Sequence, residues 1–210
     1  MPFFQLIFFI LVIIPSAVLH EFAHAWAADR LGDPTPERMG RLTLNPIPHI
    51  DLMGTLILPI FLSIATHGAF LFAYAKPVPF NPLALKWPKW GSAAVGAAGP
   101  LANLILAFAL GTVVRFMPLS GFSQLLTVVV YANLALAVFN LVPIPPLDGS
   151  HIFYTILPDR FYKVKVLFDQ YGWLILLFFL LFLSSWLVPV ITTLLLWATG
   201  PAGPYLLFGT

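Results

Sequence analysis

The sequence predicts an all-α integral membrane protein, a polytopic bundle of about four spanning helices plus one re-entrant or short β-hairpin segment. Three observations carry that reading. Of the 210 residues, 60% are hydrophobic and only 9% are charged, whereas soluble domains carry roughly 25% charged residues. Mean hydropathy is +0.95. The apolar residues also fall in runs of the roughly 20 positions that a helix needs to cross a hydrocarbon core. The length suits a single membrane-embedded domain over 1–210 with no substantial soluble domain beside it. The formal charge of +2 is too small to suggest a nucleic-acid partner, and the absence of cysteine excludes disulfides, thiolate metal sites and thiol nucleophiles. The 20 prolines must fall at loops, kinks or non-helical membrane segments.

The first run, Phe3 to Ala28, is long enough for roughly 39 Å of helix. It lacks the basic start of a signal peptide and reads as a permanent helix, with Pro15 expected to kink it one turn before His20. Asp29 to Asp51 is polar and turn-rich. Within it Arg41-Leu42-Thr43-Leu44-Asn45 alternates like a short strand. Leu52 to Tyr74 is apolar but broken by Pro59, His67 and Gly68, and Ala75 to Trp90 is polar and proline-rich. A second helix is expected over about Gly91–Met117, opening with small residues that admit a close neighbour. A third covers Phe122–Leu141, ending before Pro143, Pro145 and Pro146, which cannot continue a regular helix. His151–Tyr171 reads as interfacial, and Gly172–Thr199 as the last helix, with Trp173 and Trp197 as interface anchors.

Charge distribution bears on how these segments thread. If Leu52–Tyr74 dips into the membrane and returns, nine basic residues (Arg30, Arg38, Arg41, Lys76, Lys86, Lys89, Arg160, Lys163 and Lys165) share one side. Arg115 alone is left on the other. The positive-inside rule makes the basic side cytoplasmic and favours the re-entrant reading. It also returns Asp148 to the face where the first helix ends.

Chemistry concentrates in His20-Glu21-Phe22-Ala23-His24, an HExxH pattern inside the first apolar run. Histidines at i and i+4 share one helical face and can hold one metal ion, while Glu21 is placed to take a proton from water there. A carboxylate in a membrane helix costs ~2.5–3.5 kcal/mol on insertion scales, so Glu21 calls for a functional reason. His20 lies roughly 14 Å along the helix from Asp29, submerged but nearer the basic side. A catalytic zinc takes three protein ligands and keeps an open position. Asp148 is the best third candidate, and Asp51, His49, His67 and His151 compete. His49 and Asp51 read as surface residues and His151 as a possible neighbour of the site. Asn140 is either a helix–helix hydrogen-bonder or a donor that orients a substrate carbonyl. Asn103, beside Gly99-Pro100, reads as structural.

These residues resemble the site-2 protease family of intramembrane zinc metalloproteases, peptidase family M50, in its short prokaryotic form. His20 to His24 resembles the family's HExxH helix, Gly99-Pro100-Leu101-Ala102-Asn103 its GPxxN segment, and Asn140 through Pro143, Pro145 and Leu147-Asp148-Gly149 its N…P…DG motif. The likeness runs from about residue 10 to 155. It implies His20, His24 and Asp148 as ligands of one Zn2+ per chain, Glu21 as catalytic and Asn140 near the substrate. It further implies a transmembrane protein substrate in regulated intramembrane proteolysis, and a multi-pass plasma-membrane location with the site toward the cytoplasm. Two departures stand out: the chain has no room for a PDZ or CBS domain, and His151 stands where an Arg often follows the DG pair. A non-proteolytic metal-binding protein, transporter or pseudoprotease, is the competing reading. A transporter would spread its His and acidic residues along a pathway, and a pseudoprotease would be expected to lack Glu21.

Overall fold

The fold follows from how these apolar runs must satisfy their backbones. In lipid, only helices satisfy every backbone group within one segment. The computed structural model describes residues 3–57, 60, 61, 64 and 75–209, and among them no strand occurs. Helix α1 spans Phe3–Arg30 and continues through Pro15. A one-turn helix α2, Thr35–Arg38, follows. Helix α3 is Pro88–Phe116, opened by proline in its first turn, where a missing N–H costs nothing. Helix α4, Gly121–Asn140, begins at a Ser120/Ser123 capping box. Helix α5 is Gly149–Ile156, α6 Tyr162–Phe178, α7 Leu187–Thr199 and α8 Ala202–Phe208. Among the described residues, four stretches are long and apolar enough to cross a membrane: Leu11–Arg30, Pro88–Phe116, Gly121–Asn140 and Asp159–Thr199. The protein is therefore an all-helical membrane protein, as the composition predicts.

Three differences from the sequence expectation have physical causes. Arg41–Asn45 forms bends, not a strand. Thr43 Oγ1 accepts from the Asn45 amide and Asn45 Oδ1 from the Ile47 amide, both at 3.1 Å, and such local bonds compete with strand pairing. His49 is 2% exposed instead of lying on the surface, because its Nε2 turns inward to the Thr43 carbonyl at 2.9 Å. The last helical span starts at Asp159, well before Gly172, and passes through π-helical and 3-10 turns at Phe179–Leu183 and Ser184–Trp186 before α7. Of the expected re-entrant segment, Leu52–Ile57 forms a π-helical stretch. Most of the remainder, His67 included, lies outside the described residues.

Helix α1 runs antiparallel to α3: Ser16 and His20 bond to Asn103, while His24 reaches Val95. The core at the other end joins α3, α4 and α7 through Ala107, Val130, Leu134, Ile191, Leu195 and Ala198. The polar connections gather at the end where α1 finishes and α3 begins. There Arg41 donates to the Lys76 carbonyl at 3.5 Å and Thr155 Oγ1 to the Lys89 carbonyl at 2.9 Å. Lys89 and Lys165 both approach Asp159, at 4.0 and 3.9 Å. Arg115 sits at the opposite end, donating to the Trp197 carbonyl.

Candidate metal centre

One helical turn separates His20 from His24, and both imidazoles point from α1 toward α3. They meet edge to face with ring centroids 4.7 Å apart. Gly99 of α3 makes room for them: a Cβ built there would fall 2.7 Å from His20 Nε2 and would also strike His24. Only a helix surface without a side chain at this position admits two rings.

The outer nitrogen of each ring is tied down. His24 Nδ1 lies 2.7 Å from the Val95 carbonyl, an oxygen that can only accept. His20 Nδ1 lies 2.6 Å from Asn103 Oδ1. The amide nitrogen of Asn103 donates to the Ser16 carbonyl at 3.1 Å, so its oxygen is the atom facing His20. Both neutral rings therefore carry their proton on Nδ1 and turn a bare Nε2 lone pair inward.

Asp148 arrives from the proline-rich turn after α4. Its Oδ2 lies 2.9 Å from His20 Nε2 and 3.2 Å from His24 Nε2. Among the described residues these three form a group that could hold a metal ion, with ligand atoms all within 4.8 Å of one another. His24 Nε2 is buried and makes no hydrogen bond. Three lone pairs facing one point repel unless a cation stands between them. Two imidazole nitrogens and one carboxylate oxygen suit zinc and leave a coordination position open, so the residues fit a zinc ion.

Glu21 lines a cavity of about 300 Å³ together with His20 and Asp148 of the ligand group and with Ile13, Ile14, Asn140 and Trp173. A strap of extended chain, Ala75–Asn81, passes over it, and the Val78 amide donates to Glu21 Oε2 at 3.0 Å. The strap is fastened at both ends. The Lys76 amide donates to the His49 carbonyl at 2.9 Å, and the Asn81 amide to Asp33 Oδ2 at 2.5 Å. Burial pushes the Asp33 carboxyl up, but bonds from Thr35 and Asn81 outweigh it and hold the group below its ordinary range.

The remaining candidates sort by position. Asn140 reaches the cavity wall, while its amide nitrogen donates to the Leu136 carbonyl of its own helix at 2.9 Å. Asp51 caps the turn that follows it, accepting from the Gly54 amide at 2.7 Å. His151 packs against Phe80 at 5.3 Å and against Gly96. Burial holds its imidazole below the ordinary histidine range despite nearby Asp148. Asn103, read from sequence as structural, touches a histidine of the centre. The signal was present in its place one turn after Gly99, where a polar side chain faces the same neighbour. The Val95 carbonyl has no side-chain signature and could not be found that way.

A membrane-embedded helix bundle with a His-His-carboxylate group beside an acidic residue defines a metallopeptidase-type membrane protein. A model of peptidase family M50 matches residues 8–119 and 116–183. The chain is 35% identical over 180 residues to "Putative zinc metalloprotease YwhC" of Bacillus subtilis, covering 81% of this chain and 78% of that one. It is 33% identical over 179 residues to "Putative zinc metalloprotease Rip2" of Mycolicibacterium smegmatis, covering 82% and 67%. With "Zinc metalloprotease MJ0392" of Methanocaldococcus jannaschii it shares 28% over 164 residues, 77% of this chain and 38% of that one. No solved structure matches. The chain belongs to peptidase family M50 and is a zinc metalloprotease.

Proposed function

We propose that this protease hydrolyses peptide bonds within or beside the transmembrane segments of membrane-protein substrates, as one step of regulated intramembrane proteolysis. The observation that supports this most is the convergence of His20, His24 and Asp148, from segments far apart in sequence, within 4.8 Å at a site on membrane helices. These three residues would hold one zinc ion per chain. When bound, zinc supplies a Lewis acid that lowers the pKa of water toward ~7 and polarises a carbonyl.

The chain's own residues do the rest. Glu21 acts as general base, with Val78 holding Oε2 and Oε1 left to take the proton from the attacking water. The same carboxyl then protonates the departing amine. Asn140, on the cavity wall, orients the scissile carbonyl through an amide proton not committed to Leu136. Apolar Ile13, Ile14 and Trp173 give a lipid-facing segment a surface to dock on. The polar turns that collect near Arg30 and Lys89 give water a short path in.

The protein lies in the plasma membrane as a multi-pass unit, with the end carrying nine of its ten basic residues in the cytoplasm. The centre is then submerged toward that face. The test is cleavage of a panel of single-span fluorescent peptides co-reconstituted in liposomes, with product masses locating the cut. Cuts inside or within a few residues of the apolar span, absent with Glu21→Gln, are expected. Cleavage confined to soluble flanking sequence, or equal cleavage by Glu21→Gln, would contradict the proposal.

A further inference from the structure

The hydrogen-bonded chain behind His20 does not stop at Asn103. The other proton of the Asn103 amide goes to Asn133 Oδ1 on α4, at 2.8 Å. Asn133 Nδ2 donates to Ser16 Oγ and to the Val129 carbonyl, both at 2.9 Å. Ser16 Oγ donates in turn to the Val12 carbonyl at 2.9 Å. Asn103 and Asn133 are 0% exposed and Ser16 is 2% exposed, so water does not compete for these bonds.

The direction of every bond is forced. The Val12, Val129 and Ser16 carbonyls can only accept. Ser16 therefore spends its proton on Val12 and must accept from Asn133. Asn133 therefore turns its nitrogen toward Ser16 and Val129 and its oxygen toward Asn103. Asn103 then has both amide protons committed, one to Ser16 and one to Asn133, and only its oxygen remains for His20. A reversed Asn103 amide would offer N–H to His20 Nδ1, move the ring proton to Nε2 and remove a lone pair from the metal centre.

We infer that Asn133, supported by Ser16, is a positioning residue for the metal centre. It locks the Asn103 amide in the one orientation that keeps His20 in its metal-binding tautomer. The inference rests on the reading of His20, His24 and Asp148 as zinc ligands. Its physical basis is the general dependence of metal ligands on the groups that hold their second nitrogen, where losses of 10–100-fold in affinity are typical. It also gives α4, which supplies no histidine, a hold on the centre through Asn103 and Ser16.

The experiment measures zinc affinity by chelator competition on purified full-length protein in lipid nanodiscs. Asn133→Leu keeps the volume but removes the acceptor and both donors. Asn133→Asp, protonated in this apolar site, keeps a carbonyl for Asn103 and a hydroxyl for Ser16. Positioning predicts about tenfold weaker zinc binding for the Leu variant, with the Asp variant within about threefold of wild type. A space-filling role predicts the reverse order, since Leu suits a membrane interior better than a carboxyl. Leu binding zinc as tightly as wild type, or Asp binding more weakly than Leu, overturns the inference. Should Asn133→Leu not yield monodisperse protein, Ser16→Ala is read instead. About threefold weaker binding there supports the inference, and unchanged binding overturns it. Asp148→Ala runs alongside: zinc held there as tightly as in wild type would sink the ligand assignment itself, a result distinct from failure of the Asn133 order.

Discussion

Helix α1 has two sides that differ sharply in how their polar groups are kept. Toward α3 and α4, Ser16, His20 and His24 are buried, and their outer atoms meet Asn103, Asn133 and the Val95 carbonyl in bonds of 2.6–2.9 Å. Toward the cavity, Glu21 is half-buried, held through the single Val78 amide among the described bonds, and faces an apolar lining. The closed side has the properties of a ligand mount. Buried hydrogen bonds to Asn103 and Val95 fix the orientation of both rings, as a preorganised ligand set requires. The open side has room for a substrate segment and water, and its carboxylate is aimed without being sealed in. One helix therefore separates holding from reacting, and the separation implies that damage to each side has a different signature.

The largest expected effect lies on the open side. Glu21→Gln keeps the shape and the Val78 contact but removes the base, so cleavage should fall by ~10²–10⁴-fold. Zinc content, measured by atomic absorption, should remain at the wild-type level. Loss of zinc in this variant would erase the distinction between the sides. Asn140→Leu tests the same wall: a drop of about 10²-fold in kcat is expected, again with zinc retained. On the closed side the signature reverses. Gly99→Ala places a methyl 2.7 Å from His20 Nε2, and zinc affinity should fall by about 100-fold, with activity following affinity and recovering in excess zinc.

The smallest effect concerns the strap that aims Glu21. Asp33→Asn replaces an acceptor of the Asn81 amide and should lower stability by about 1 kcal/mol. Because folding holds the Asp33 carboxyl below its ordinary range, its contribution is fully present above pH ~3.9. It is lost as pH falls through the lower folded value. The melting temperatures of wild type and variant should therefore differ at pH 7 and converge at acid pH. A gap that widens on acidification would contradict the assignment.

The reacting groups themselves were legible in the residues. His20, Glu21 and His24 declare themselves by spacing, the charge asymmetry pointed to Asp148 as their partner, and the structure brings its carboxylate to 2.9 Å from His20. The mount behind them was less so. The Val95 carbonyl and the clearance at Gly99 depend on how α1 seats against α3, and packing of that kind leaves no periodic trace in an apolar helix. Asn133 sits amid Val130, Tyr131 and Leu134 with nothing to distinguish it from an ordinary interhelical amide. The strand expected at Arg41–Asn45 failed for a local reason: Thr43 and Asn45 satisfy neighbouring amides themselves. The last span begins earlier than Gly172 because one continuous helix, Tyr162–Phe178, carries the charged Tyr162–Tyr171 stretch straight into the apolar run.

The central claim is that the closed side of α1, completed by Asp148, is where zinc sits. Zinc-edge X-ray absorption on purified Glu21→Gln and Asp148→Ala proteins tests it most directly. The account predicts a first shell of nitrogen and oxygen at about 2.0–2.2 Å in Glu21→Gln, with two imidazole signatures, and loss of that signal in Asp148→Ala. An unchanged zinc spectrum in Asp148→Ala would contradict it.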